Sequence, residues 1–112
     1  MSRDDVYLLD MLESARLALR YVEGKTEEEF LKDLQLQDSV IRRLVVIGEA
    51  ARRLSAATRE SQPHSPWQTM IDMRNFVVHE YDDVDARIVW ETVQENLPSL
   101  IRRLTDIVLP QG

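Results

Sequence analysis

The chain has 112 residues, a formal net charge of −6 at pH 7 and no cysteine. That length suits a single domain spanning 1–112, able to withdraw roughly two-thirds of its unfolded surface from water without covalent staples. Disulfides and thiolate metal sites are excluded, and the acidic balance argues against general nucleic-acid binding, which depends on neutralising phosphates.

Only 3 glycines occur and no segment alternates long enough to suggest a sheet, so the pattern is helical throughout. Helix one is predicted from about Asp4 to Tyr21, with Leu8, Met11, Leu12, Ala15, Leu19 and Val22 on one side and acids in its first turn. Met1 to Arg20 interleaves acids with apolar residues, unlike a signal peptide. No apolar run approaches the roughly 20 residues of a membrane span, so a soluble, cytoplasmic protein is expected. Gly24 ends helix one. Thr26 with Glu29 forms a capping-box signature for a short helix to about Leu34. Helix three is predicted over Asp38 to Ala56. Pro63 to Pro66 reads as a loop, after which Ser65 can cap and Pro66 can open a fourth helix reaching about Val78. The acids Asp82, Asp83 and Asp85 form a turn into a last helix, Ala86 to Val108, which Pro98 should kink. The expected fold is all-α: an antiparallel bundle of four main helices plus one short extra helix.

Two features exceed what a simple core needs. On helix three, Val40, Leu44, Ile47, Ala51 and Leu54 form a core stripe, and Ile41, Val45 and Gly48 form a second one beside it. Gly48 costs about 1 kcal/mol relative to alanine in mid-helix, which close approach of another backbone offsets. A homodimer interface on helix three, or a helix buried centrally in its own monomer, accounts for both observations. On helix four, Trp67, Met70, Ile71 and Val78 form an apolar stripe from whose middle Arg74 projects. A buried arginine needs a partner. It can snorkel to water, or be held by a carboxylate or a bound phosphate. Glu49 is a candidate carboxylate, although a solvated pair with Arg53 is its simpler reading. Of the 14 basic residues only Lys25 and Lys32 are lysine, and this arginine bias permits local anion sites within an acidic protein.

The segment Arg74 to Tyr81, RNFVVHEY, carries the candidate chemistry. Histidine can take a proton from a ribose 2′-hydroxyl or give one to a leaving oxygen, and arginine can stabilise charge on a phosphoryl group. Five residues separate Arg74 from His79, about 140° around a continuous helix. The two therefore converge in one chain only if the helix unwinds near Val78, or else they meet across a dimer axis. His64, between Pro63 and Pro66, reads as a solvent-facing loop residue. No metal-ligand spacing and no glycine-rich phosphate loop are present, so neither metal nor cofactor is expected.

Arg74-x-x-x-x-His79-x-Tyr81 resembles the signature of the HEPN superfamily, and in particular of HepT-like toxins of toxin–antitoxin pairs. Gln37-Asp38 with Val40-Ile41-Arg42-Arg43-Leu44, Ile47-Gly48-Glu49-Ala50-Ala51, Pro66-Trp67, Met73-Arg74-Asn75, Val89-Trp90 and Asn96-Leu97-Pro98 resemble the family in the family's order, from about Asp4 to Leu104. The resemblance implies a helical homodimer whose two motif copies face each other across a cleft, acting as a metal-independent endoribonuclease on RNA. By position it makes Arg74 and His79 the catalytic pair and Asn75 a supporting polar residue, with Glu49 supporting as well. Tyr81 becomes the site at which a nucleotidyltransferase antitoxin of the MntA type attaches AMP and silences the toxin. The alternative is a non-catalytic subunit binding a nucleotide or partner alongside such a transferase.

Overall fold

The computed structural model describes residues 2–80 and 84–109. Among these are six α-helices: α1 (Arg3–Val22), α2 (Glu27–Leu31), α3 (Leu34–Arg53), α4 (Ala56–Ser61), α5 (Trp67–His79) and α6 (Ala86–Val108). The architecture is all-helical as expected, with two short helices where one was predicted.

Local chemistry sets the boundaries. Ser2 and Asp5 form a reciprocal capping box at α1, and Thr26 and Glu29 form another at α2, each satisfying two orphan backbone donors. Gly24, at φ 75°, supplies the left-handed turn between them. α2 stops at Leu31 and α3 starts at Leu34, four residues before the predicted Asp38, because Asp33 accepts from the Leu36 N–H at 3.0 Å and caps α3 there. The unpredicted α4 has a similar origin. Ser55 accepts from the Thr58 N–H, while Asp4 of α1 accepts from the Ser55 N–H at 3.1 Å and from both hydroxyls at 2.6 Å. A carboxylate some fifty residues away thus holds the cap in place, a contact that local sequence cannot reveal. Ser65 does not cap α5: Pro66 occupies the cap position and no side chain bonds the first turn. α6 matches its predicted span and runs through Pro98 as one helix.

α3 lies at the centre. Asp4 reaches Ser55 and Arg43 reaches Ser14, so α1 and α3 run antiparallel. On its other side Gly48 meets Met70 and Arg74, and Ile41 shares a cleft with Val78, so α5 is antiparallel too. α6 begins beside α2, where the Phe30 and Trp90 rings lie 5.4 Å apart, and returns along α1. Its stripe of Val89, Val93, Leu97, Leu100 and Leu104 is fully buried against Met11, Ala15, Ala18, Val40 and Leu44 in one core. Among the described residues α5 packs chiefly on α3 and has no comparable contact with α1 or α6. One flank of the α3–α5 pair is consequently left open. No helix among the described residues is long and apolar enough to cross a membrane.

Candidate active site on α3 and α5

α5 buries Trp67, Met70, Ile71 and Val77. Val78, expected on this stripe, is instead 43% exposed and Val77 takes its place. Counting back from Val77 by three and four residues gives Arg74, Met70 and Trp67, so Arg74 does sit on the packed face.

Its neighbour explains how an arginine fits there. Gly48 lies directly beneath Arg74: a Cβ on Gly48 would collide with the Arg74 Cβ and stand 2.6 Å from the Met70 carbonyl oxygen. The close backbone approach predicted for Gly48 is therefore made by α5 of the same chain, and the glycine itself is no evidence of a dimer. Without a side chain at position 48, the Arg74 stem crosses α3 and its guanidinium reaches Glu49, with Nε 2.9 Å from Oε2. Nε nevertheless keeps no hydrogen-bond partner among the described residues, because its N–H is not aimed at that oxygen. The contact is a coulombic one. Nη1 donates to Asn75 Oδ1 at 3.0 Å, which gives Asn75 a concrete role in orienting the arginine.

Glu49 serves more than one cation. Its Oε1 accepts from Arg52 Nη2 at 2.7 Å and Arg53 Nη2 at 3.3 Å, while Oε2 faces Arg74. The expected Arg53 pair forms, but it is the longest of the three contacts. Arg52, which the sequence reading overlooked, stands three residues on and has the ordinary helical spacing for such a pair. One carboxylate among three guanidiniums leaves the cluster with a net local charge near +2 in an acidic protein. The Arg52 hydrogen bond, reinforced by the charges of Arg74, Arg52 and Arg53, holds the Glu49 carboxyl below its ordinary range against the opposing effect of partial burial. Glu49 is thus an ionised anchor at neutral pH and not a proton donor.

That depression has a measurable consequence. A carboxyl whose pKa is lower folded than unfolded contributes stability above its unfolded pKa of about 4.3 and loses it as pH falls through the folded value. Glu49→Gln is expected to be less stable than the wild type at pH 7, the gap narrowing steadily below about pH 4. Urea unfolding at a series of pH values checks this. A gap independent of pH would mean that the carboxylate charge is not what stabilises the cluster.

His79 is the last residue of α5 and is exposed. The helix does not unwind near Val78. At 100° and 1.5 Å per residue, His79 sits about 140° around and 7.5 Å along from Arg74. Arg74 and His79, the pair expected to be catalytic, therefore lie on different sides of α5 within one copy. Tyr81 lies outside the described residues. His64 is exposed in its loop, as expected. The open flank of α3 and α5 forms a cleft of about 720 Å³, lined by Ile41, Val45, Val77, Val78 and Val84 together with Asp38 and Arg42. The second apolar stripe of α3 is thus only partly covered by the described residues.

Residues 11–107 match the family described as "Ribonuclease HepT-like". The chain belongs to the HepT-like ribonuclease family. Among its HepT-like relatives, the protein named "Putative RNase MJ1380" of Methanocaldococcus jannaschii is 36% identical over 96% of this chain and 100% of its own length. The "Probable ribonuclease HepT" of Thermococcus cleftensis is 38% identical over 84% of this chain and 86% of its own. A further relative, "Gamma-glutamylcyclotransferase and putative RNase MJ0434" of Methanocaldococcus jannaschii, is 38% identical over 92% of this chain, which spans 46% of that longer protein. No solved structure matches the chain. Membership in the HepT-like family places the chain in the ribonuclease class of enzymes and agrees with its all-helical fold.

Proposed function

We propose that the chain is the toxin of a toxin–antitoxin pair, a metal-independent endoribonuclease that works as a homodimer. The observation that carries this reading is the placement of Arg74 and His79 on different sides of one unbroken helix, which also walls an apolar cleft that no helix among the described residues covers. A second copy seated on that flank buries Ile41, Val45 and Val78 and lets Arg74 of one copy face His79 of the other. An isologous contact of this kind is the commonest way for identical chains to associate.

The chemistry needs few parts. The RNA 2′-hydroxyl attacks the adjacent phosphorus, and His79 takes its proton. The P–O5′ bond breaks, and the protonated imidazole returns a proton to the departing oxygen. Arg74, steered by Glu49 and Asn75, stabilises the charge that builds on the phosphoryl oxygens. The products are a 2′,3′-cyclic phosphate and a 5′-hydroxyl. Control lies at Tyr81, two residues past His79, where a nucleotidyltransferase antitoxin attaches AMP. The added phosphate and bulk compete with RNA for the arginine.

The test is RNA cleavage by purified protein in EDTA, with the new ends mapped. Cyclic phosphate ends are expected, and cleavage that requires added metal would remove the mechanism. Treatment with ATP and the cognate transferase should place AMP on Tyr81 and not on Tyr7 or Tyr21. Tyr81→Phe should escape neutralisation while retaining cleavage; neutralisation unchanged in that variant would refute the proposed control.

A further inference from the structure

Three buried side-chain polar atoms among the described residues lack any hydrogen-bond partner: Arg74 Nε, Arg59 Nε and Ser65 Oγ. The first belongs to the site above. Arg59 and Ser65, the residues that carry the other two, both line a single separate cleft of about 380 Å³ where α4 meets α5. Native proteins rarely leave buried polar groups unpaired, and two in one cleft need an explanation.

The start of α5 adds to the same cleft. Pro66 holds the cap position and offers no side-chain acceptor, and the Trp67 N–H turns back to the Ser65 carbonyl at 2.9 Å. The next amides, those of Gln68 and Thr69, precede the first in-helix bond, which runs from the Met70 N–H to the Pro66 carbonyl. A helix of 13 residues carries partial positive charge at this end. Ser65, where a cap was expected, is only 8% exposed with its hydroxyl unpartnered. Arg59 pairs with no carboxylate among the described residues. Glu60 also lines the cleft and weakens its hold on any anion. The Gln68 side chain is engaged, donating to Asp72 Oδ1 at 2.8 Å, so Gln68 offers its backbone N–H only.

We infer that this cleft binds a phosphate group, with the Arg59 guanidinium, the Ser65 hydroxyl and the first-turn amides of α5 as donors. Donors arriving from a helix end, a loop and a second helix suit a tetrahedral oxyanion better than a planar carboxylate, which is met by a single fork. The volume leaves room for a nucleoside attached to the phosphate, with Trp67 in the wall. The phosphate can come from a free nucleotide or from an RNA strand. In the second case the inference rests on the ribonuclease reading: Arg74 lies seven residues from Trp67, about 10 Å along α5 and only about 20° around it. A strand with one phosphate at Arg74 would then lay another near the start of the helix.

The test is amide NMR of the whole chain, titrated separately with inorganic phosphate, AMP and a short single-stranded RNA. Saturable shifts are expected at Ser65, Gln68 and Thr69, weakened about tenfold in Arg59→Gln and in Ser65→Ala, as for loss of one charge-assisted contact. Saturation by AMP identifies a nucleotide site, and saturation by RNA but not AMP identifies a strand contact. The spectra report whether each variant is folded. The Arg74→Ala protein should keep these shifts even if cleavage proves absent, which separates this cleft from the catalytic reading. The inference is overturned by the absence of saturable shifts with all three probes, by shifts undiminished in both variants, or by their loss in Arg74→Ala.

Discussion

Arg74→Ala is expected to lower RNA cleavage about 10²–10³-fold, and His79→Ala about 10²–10⁴-fold, with the helical fold retained in both. The structure says why the fold should survive. Alanine at position 74 keeps the Cβ that lies over Gly48, and Glu49 retains Arg52 and Arg53 as partners. The loss is confined to a partly buried stem, the coulombic contact with Glu49 and the hydrogen bond to Asn75, on the order of 1–2 kcal/mol in all. His79 is exposed, so its removal should change stability by less than about 0.5 kcal/mol. Single-turnover cleavage of one RNA, alongside thermal melts, measures both quantities. Mixing the two inactive variants sharpens the experiment. If each site takes Arg74 from one copy and His79 from the other, half the exchanged dimers are mixed and each of these holds one intact site, so about a quarter of wild-type activity should return. If both residues act within one copy, no mixed dimer has an intact site. Failure to recover activity after demonstrated exchange would remove the composite site.

How much of this was legible in the sequence depends on whether the determining contacts are local. α1, α2 and α6 could be placed because their caps and stripes lie within a few residues of one another: Ser2 with Asp5, Thr26 with Glu29, and the repeat from Val89 to Leu104. The start of α3 is misplaced from sequence alone although Asp33 is a local cap, because Leu34 reads as the end of α2 and Asp38 as the entry to the next helix. α4 was missed for a different reason, since its cap leans on Asp4 from α1. At the site, the periodicity of α5 placed Arg74 on the packed face correctly but misjudged whether Val77 or Val78 carried that face onward. A helix wheel locates a stripe only to within one residue when two valines are adjacent. Glu49 could be named as a partner because i, i+4 arithmetic is available from sequence. Its contact with Arg74, for which the sequence offers Glu49 as one candidate, depends on how closely α3 and α5 approach, and Gly48 is the local hint of that approach. The hint was ambiguous, since a glycine announces a close neighbour without saying which chain supplies it.

Gly48→Ala is expected to destabilise the protein by about 2 kcal/mol or more, although alanine is the better helix former. Inside an isolated helix the substitution would gain about 1 kcal/mol. Here the new methyl group would meet the Arg74 Cβ and the Met70 carbonyl oxygen, neither of which is the movable end of a flexible side chain. α5 must shift away from α3 as a body, and forced overpacking of this kind costs about 1–3 kcal/mol or more. Of the four long helices, α5 has the least alternative support, since it packs chiefly on α3. The same displacement carries the Arg74 guanidinium away from Glu49, so the arginine loses the carboxylate that steers it. Cleavage by Gly48→Ala should therefore fall even at a temperature where the variant is fully folded, which separates misplacement of Arg74 from simple unfolding. Differential scanning calorimetry should show a midpoint lower by about 8 °C. A variant that melts at or above the wild-type temperature would mean that α3 and α5 are not in contact through Gly48, and the mounting of Arg74 over Gly48 would then be wrong.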